Sequence, residues 1–364
     1  MEDVVGGLFH VSVIWQRQDG DLAFKDNIMN KKPFILCVSL AQALLFSQSA
    51  QALNIVISND DGWQTNNIQT LQQDLVAAGH QVIISAPCTE QSGKGGAVNI
   101  FKPVPVDESQ AAENIYCVGE TDSSKSFADY SEGTPVMAAL YGIQVAAQAQ
   151  WQKKPDLLIS GPNVGNNLGA MNENSGTIGA AILALTQEVP AIAVSAHQNS
   201  GTDASQGHKI AAVVVDIVRQ LEATRPAGQP LLPPYMGLNI NLPEEIDSNL
   251  GYKFTDIGWN GGGMTWAFAS DLDQNPQVVD VLTQKAAEAT GQPAAVVRPL
   301  VKQGLKGKQA VTIAPGDNQD QDEQSEGVVV KQGYITISTF DGIIQASSAK
   351  VQLTRQRLFG LAQE

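Results

Sequence analysis

Basic residues are scarce in this chain of 364 residues: 22 lysines and arginines stand against 37 aspartates and glutamates, and the formal net charge is −15. Such a surface would repel a polyanion, so the composition argues against a nucleic-acid partner. A small phosphorylated substrate remains compatible with it, because a helix end or a bound metal ion can outweigh the global field locally.

Several nucleotide-binding and hydrolytic motifs are missing. No G-x-G-x-x-G follows the first predicted strand, and the glycine-rich segment Gly161–Gly169 lacks the Gly-Lys-Ser/Thr ending of a P-loop. No G-x-S-x-G is present, which leaves a serine-hydrolase elbow unsupported. These absences argue against a dinucleotide site, a P-loop nucleotide triphosphatase and an acyl hydrolase.

Histidine is also rare, with four residues in the chain, and none has the spacing of metal ligands. His80 follows a helix-ending glycine and is predicted to lie on the surface. His197 and His208 flank a polar loop and are predicted to be structural, with proton transfer as the alternative.

The chain has no apolar run long enough for a comfortable membrane span. The apolar stretch from Pro33 to Phe46 follows Lys31 and Lys32 and precedes an A-x-A site ending at Ala52. This three-part pattern predicts a signal peptide that starts near Met29 and is cleaved after Ala52. We therefore expect a periplasmic or secreted protein without a stable membrane anchor; a buried helix and a transmembrane anchor are the alternatives.

Cysteine is limited to three residues, and Cys37 would be removed with the signal peptide. Cys88 and Cys117 would then form an even pair in an oxidising compartment. A disulfide between them and two buried free thiols are both compatible with the sequence.

Short apolar strands alternate with amphipathic helices after residue 52. Asn54–Ser58, a helix from Ile68 to Ala78 and Gln81–Ala86 form a strand–helix–strand unit, which predicts a parallel sheet. The expected class is α/β, with a Rossmann-like, mostly parallel sheet and helices on both faces, plus a smaller C-terminal extension.

The predicted division of the chain has three parts. Residues 1–52 are a cleaved leader, 53–250 the α/β core, and 251–364 an extension that returns a late strand to the core. An acidic run in that extension, Gly316–Gly327, is predicted to be a solvated loop.

Polar groups follow three of the predicted strands, where ligands bind in open α/β sheets. They are Asn59, Asp60 and Asp61 after the first strand, Ser92 and Gly93 after the second, and Asn163 after a later one. Two carboxylates, a hydroxyl and an amide oxygen suit a hard cation such as Mg²⁺ or Mn²⁺. The alternative for Asp60 and Asp61 is a turn that caps a helix.

A helix is predicted to begin after Asn174-Ser175-Gly176-Thr177. The amides, hydroxyls and positive dipole end of such a start form an anion site, and an ordinary N-cap is the alternative.

Six motifs occur in the order seen in the SurE survival-protein family, which this chain resembles closely from Leu53 to Ser195. They are Ser58-Asn59-Asp60-Asp61-Gly62, Ala86-Pro87 followed by Ser92-Gly93, Gly133-Thr134-Pro135, the segment Ser160–Gly169, Ser175-Gly176-Thr177 and Pro190–Ser195.

The resemblance implies a metal-dependent phosphatase, most simply a 5'/3'-nucleotidase that hydrolyses nucleoside monophosphates. It implies Asp60, Asp61, Ser92 and Asn163 as ligands of Mg²⁺ or Mn²⁺, with Asp60 and Asp61 also catalytic. It places the phosphate near Asn59, Gly93, Ser175, Gly176 and Thr177. It further implies a homodimer or tetramer.

The chain departs from the family at two positions. Cys88 stands where an aspartate is expected, and Leu183 where a glutamate is expected. Two alternative functions therefore stay open: a broad-specificity periplasmic acid phosphatase, and a non-catalytic relative that binds nucleotide and metal.

Overall fold

The computed structural model describes residues 52–122, 124–126, 129–316, 320–359 and 361. The predicted signal peptide lies outside these residues except for Ala52, which is exposed. Within the described ranges, no helix combines the length and the apolar character needed to cross a membrane.

The strands are short, as expected for a sheet whose connections are helical. In chain order they are β1 (Asn54–Ser58), β2 (Gln81–Pro87), β3 (Val106–Asp107), β4 (Ile115–Val118), β5 (Leu157–Val164), β6 (Ala191–Ala196), β7 (Met236–Asn241), β8 (Tyr252–Thr255), β9 (Met264–Ala269), β10 (Ala310–Pro315) and β11 (Ile335–Asp341).

Most helices connect consecutive strands. They are α1 (Asn66–Ala77), α2 (Pro135–Tyr141), α3 (Ala147–Trp151), α4 (Gly176–Thr186), α5 (Gly207–Thr224), α6 (Pro276–Thr290), α7 (Ala294–Leu305), α8 (Glu326–Val329) and α9 (Ser348–Arg357). A π-helical turn, Gly142–Ala146, joins α2 to α3.

Nine of the described strands form one sheet in the order β3-β4-β2-β1-β5-β6-β7-β11-β8. The pairs among β4, β2, β1, β5, β6 and β7 are all parallel, and β3 and β11 add antiparallel pairs with β4 and β7. The predicted α/β class with a mostly parallel sheet is confirmed.

Strand β1 is buried on both faces, which explains its continuous apolar sequence. Ile55 and Ile57 join one core cluster, with residues of α1 and α5. Val56 points to the other face and joins a second cluster, with residues of α2 and α4. Because side chains alternate along a strand, helices cover both faces of the sheet, as predicted.

The strand order places a topological switch point beside β1. The chain builds outward from β1 through β2 and β4, then returns to the opposite side of β1 with β5. The carboxyl ends of β2, β1 and β5 are therefore neighbours at one edge of the sheet, where ligands bind in this class of fold.

Residues beyond 250 contribute to the main sheet and also form a separate hairpin. Strand β11 lies between β7 and β8. Strands β9 and β10 pair antiparallel outside the main sheet.

The prediction that His80 is a surface residue is wrong. Its side chain is buried, its Nδ1 accepts a hydrogen bond from the backbone N–H of Leu53 (3.3 Å), and its Nε2 lies 3.9 Å from a carboxylate oxygen of Glu222. Burial lowers the pKa of His80, and this outweighs the opposing effect of Glu222. A neutral ring suits its role as the acceptor for the Leu53 amide.

Candidate active site

Asp60 is buried directly after β1, and helix α4 packs against it. Its Oδ1 accepts a hydrogen bond from the Thr177 hydroxyl at 2.8 Å. Gly176 approaches so closely that an added Cβ would lie 2.8 Å from the Asp60 Cβ. The start of α4 can therefore pack this closely against Asp60 only if residue 176 is a glycine.

Asp61 is less buried than Asp60 and is held from the other side. Its Oδ2 accepts a hydrogen bond from the backbone N–H of Val164, the last residue of β5, at 3.0 Å. The two adjacent carboxylates are thus oriented by two different elements, α4 and β5.

Burial raises the pKa of both carboxyl groups. The pKa of Asp60 rises to about 6, with the Thr177 hydrogen bond opposing that effect. The pKa of Asp61 rises to about 7, because burial and then the charge of Asp60 both disfavour its ionised form. Two adjacent acids that resist ionisation form a site that a cation would stabilise.

The alternative of a helix cap does not hold for Asp60 and Asp61. Helix α1 begins at Asn66, and its N-cap is Thr65. The intervening turn is closed by Asn59, whose Oδ1 accepts from the Gly62 N–H (3.2 Å) and whose Nδ2 donates to the Gly62 carbonyl (2.9 Å). Asn59 therefore shapes the turn that carries the two acids.

Asn163 lies at the end of β5, just after the register with β6 shifts between Ser160 and Asn163. Its Nδ2 donates to the Gly165 carbonyl at 2.7 Å. Its Oδ1 is buried, and no described residue donates a hydrogen bond to it. A buried acceptor without a donor costs free energy, so this atom is suited to ligate a cation.

The loop after β2 brings Ser92 and Gly93 to the same edge of the sheet. The backbone N–H of Gln91 donates to the Asp60 carbonyl at 2.7 Å, which fixes the loop against β1. The Ser92 N–H donates to a carboxylate oxygen of Glu90 at 2.6 Å, and the Ser92 side chain is exposed. Gly93 has φ +77°, a conformation that favours glycine.

Ser175 is the N-cap of α4, and its hydroxyl accepts from the Ile178 N–H at 3.2 Å. Ser175 is therefore an N-cap, as the alternative prediction stated. This role does not exclude anion binding, because the backbone amides of the first turn still point out of the N-terminal end of the helix. The Thr177 hydroxyl is used by Asp60 and by Asn167, whose Nδ2 donates to it at 3.2 Å.

A cavity of about 720 Å³ opens at this edge of the sheet, within the range of about 300–1,000 Å³ usual for small-molecule sites. Asp60, Ser92, Gly93, Asn163 and Ser175 line it. Four other predicted site residues are not among those that line it: Asn59, Asp61, Gly176 and Thr177.

The candidate metal ligands differ in type, and this matters for the kind of ion. Among the described residues, no group of three or more His, Cys, Asp or Glu side chains is arranged to hold a metal. The predicted set combines two carboxylates, a hydroxyl and an amide oxygen, which favours a hard ion with remaining water ligands over zinc.

The two departures from the family pattern, Cys88 and Leu183, do not line the cavity. Cys88 and Cys117 are joined by a disulfide between the ends of β2 and β4, with a sulfur–sulfur distance of 2.10 Å. Leu183 packs against the core cluster that contains Val56. Neither Cys88 nor Leu183 is among the lining residues, so their identities leave the cavity's donor set intact.

Glu326 corrects the prediction that the acidic run is entirely solvated. Its carboxylate is fully buried and accepts hydrogen bonds from the Gly169 N–H, the Asn172 and Asn239 side-chain amides and the Ser338 hydroxyl, at 2.7–3.2 Å. Tertiary donors replace water here, so composition was a poor guide to exposure.

Sequence reasoning also missed the buried amides of β7. Asn239 and Asn241 are both buried, and both donate to the Asn167 carbonyl, at 3.1 and 2.9 Å. The alternation of these asparagines with Leu238 and Ile240 could have identified them, because polar residues two positions apart in a strand lie on the same face. They fix the loop that follows Asn163.

Comparison with known proteins identifies a family and related sequences. A family model described as "Survival protein SurE" matches residues 55–262, more than half of the chain. A 5'-nucleotidase SurE from Methanosphaera stadtmanae is 35% identical over 147 residues, covering 40% of this chain and 51% of that relative. An acid phosphatase from Yarrowia lipolytica is 31% identical over 215 residues, covering 56% of this chain and 60% of that relative.

A solved structure gives an independent likeness in fold. The crystal structure of the SurE protein from Aquifex aeolicus superposes with a TM-score of 0.58 at 23% identity, covering 84% of this chain and 98% of that one. The chain thus spans between half and two thirds of the two curated relatives described, and nearly all of this structure.

Proposed function

The chain belongs to the SurE family, and from that premise we propose that it is a metal-dependent phosphomonoesterase acting on nucleoside monophosphates. The observation that carries the proposal is the convergence of Asp60, Asp61 and Asn163 beside a helix N-terminus, with an Asn163 Oδ1 that accepts no hydrogen bond from any described residue. This combination provides for both a cation and a phosphate in one cavity.

Four residues would hold the metal ion, which we take to be Mg²⁺ or Mn²⁺: Asp60, Asp61, Ser92 and Asn163. When bound, such an ion would neutralise negative charge that builds up on the phosphoryl group. Asp60 is kept in place by Thr177, and Asp61 by Val164, so both carboxylates are oriented without the ion.

The protein's own groups would bind and orient the phosphate. The first turn of α4, from Ser175 to Thr177, begins at the cavity, and its backbone N–H groups would stabilise charge on the equatorial phosphoryl oxygens. Gly93 permits close approach of an anion to the loop after β2, since glycine has no side chain of its own to shield its backbone. Asp60 and Asp61 are the groups placed to exchange protons or to attack phosphorus.

A purified protein lacking residues 1–52 tests this function directly. We expect phosphate release from AMP that stops in EDTA and returns with Mg²⁺ or Mn²⁺. Full activity in EDTA would contradict the metal requirement. Failure to release phosphate from any monoester, with nucleotides still raising the melting temperature, would favour a non-catalytic binding protein.

A second candidate function is a broad-specificity acid phosphatase exported to the periplasm. The relative named acid phosphatase supports it, as does the predicted signal peptide. A panel of nucleoside monophosphates and simple esters such as β-glycerophosphate separates the two candidates. Similar kcat/KM values across the panel would favour the broad phosphatase.

A further inference from the structure

The cavity has two chemically different halves. Its polar half contains the candidate metal and phosphate groups, including Asp60 and Asn163. Its other half is apolar and is supplied in part by Met264, Trp266 and Ile313 of the β9–β10 hairpin. Phosphate and a metal ion would use only the polar half, so the apolar half needs another part of the substrate.

The register of the hairpin explains how these side chains share one surface. Trp266 is directly opposite Ile313 in the antiparallel pair, and Met264 is two residues before Trp266. Residues two apart on a strand point to the same face, as do residues directly opposite on paired strands. Met264, Trp266 and Ile313 therefore form one apolar face, which we call the hairpin platform.

Trp266 comes close to the loop that carries the predicted phosphate-binding glycine. Its Cη2 lies 4.0 Å from the position that a Cβ on Gly93 would take. Trp266 is also partly open to solvent, with 37% of the residue's surface exposed. A flat, accessible aromatic surface thus adjoins the phosphate end of the cavity.

We propose that the hairpin platform binds the base of a nucleoside monophosphate, with the base stacked on Trp266 and the phosphate held beside Gly93 and Ser175. This inference rests on the proposed function and gives it a basis for substrate choice. Every base presents a π-face, so stacking would favour nucleotides over phosphorylated sugars without selecting one base.

Ribose 5-phosphate is the matched probe, because it keeps the phosphate and the sugar of AMP and lacks the base. Equilibrium binding of AMP and of ribose 5-phosphate is measured calorimetrically in EDTA, where we expect no turnover, and kcat/KM is measured for both with Mg²⁺ present. We expect wild-type protein to bind AMP more tightly than ribose 5-phosphate.

Trp266→Ala should weaken AMP binding about 5- to 150-fold, the range expected for loss of one base–aromatic stack. Binding of ribose 5-phosphate should stay within about twofold of wild type. Trp266→Phe should retain most AMP affinity, and circular dichroism of each variant establishes that it is folded.

Phe268→Ala is the control for general damage to the hairpin. Phe268 lies on the same strand and the same face, is 68% exposed and is not among the cavity-lining residues. Both ligands should bind this variant as they bind wild type.

Three results would overturn the platform. The first is equal affinity of the wild type for AMP and ribose 5-phosphate. The second is an equal loss of affinity for both ligands in Trp266→Ala. The third is a changed association state of that variant with unchanged AMP affinity. Base-dependent binding without any phosphate release would uphold the platform while refuting the phosphatase function.

Discussion

Asp60 and Asp61 are neighbours in the chain but have different partners. The Thr177 hydroxyl holds the first, and the Val164 backbone amide holds the second. Their pKa values rise for a shared reason, burial, and Asp61 is further affected by the charge of Asp60. Asp61 is the less buried of the two, which suits it to proton exchange with a substrate.

Asp61→Asn should lower kcat for AMP by at least about a hundredfold, because the amide keeps an acceptor for Val164 but cannot transfer the proton. Steady-state kinetics of phosphate release measures this. The control is Asp216→Asn, which changes an exposed aspartate on α5 and should leave kcat unaltered. Activity of Asp61→Asn within about threefold of wild type would rule out this role.

Among the elements, the short helix α8 connects the loop after β5 to the sheet through hydrogen bonds. Glu326 in α8 receives hydrogen bonds from the loop after β5, through Gly169 and Asn172, and from β7 and β11, through Asn239 and Ser338. Burial raises the pKa of Glu326 to about 7, although all four groups lower it by donating to the carboxylate. The helix thus determines the position of a loop it does not adjoin in sequence.

Glu326→Gln should change how stability depends on pH. The folded pKa is raised from 4.5 to about 7, so the stability from the protonated form is present below pH 4.5 and lost as pH rises to about 7. Between these two pH values, the free energy of unfolding of the wild type should therefore fall by up to about 3 kcal/mol relative to that of the variant. Urea unfolding of both proteins at about pH 5 and pH 8 gives the difference.

Glu323→Gln serves as the matched control for this measurement. Glu323 lies in the same acidic run but is exposed, so its replacement should shift unfolding by less than about 0.5 kcal/mol at either pH. A wild-type to Glu326→Gln difference that does not vary with pH would contradict the buried-acid explanation.

At the scale of the whole molecule, the sheet reaches to the first residues that the structure describes. Leu53 is buried, and its backbone N–H is bonded to His80, whereas Ala52 is exposed. Cleavage after Ala52 would leave an amino group that still donates to the neutral His80 ring. The predicted processing site is therefore compatible with an intact β1.

Export can be tested by sequencing the amino terminus of the mature protein from the periplasm or medium. We expect it to begin Leu53-Asn54-Ile55, because the pattern before Leu53 is that of a signal peptide. Ala52→Tyr should block processing, since the cleavage site requires a small residue. A soluble cytoplasmic protein that still begins at Met1 or Met29 would contradict export.

Much of the fold and part of the site followed from the sequence. The apolar strands, their helical connections and the polar groups at the strand ends predict an α/β sheet with Asp60, Ser92 and Asn163 at one edge. Local periodicity is sufficient for this, because burial on both faces of a parallel strand requires a continuous apolar run. The order of the six motifs identified the family for the same reason: each motif is local.

The groups that complete the site come together from distant parts of the chain. Val164 is 103 residues from Asp61, and Glu326 is 157 residues from Gly169. Trp266 reaches Gly93 from a hairpin outside the main sheet. The strands and the acids that follow them were predictable from local sequence patterns. Chain packing determines the hydrogen-bond partners of these acids, the burial of Glu326 and the apolar half of the cavity. These features could not be predicted, because hydrogen bonds and burial between distant segments produce no local periodicity in the sequence.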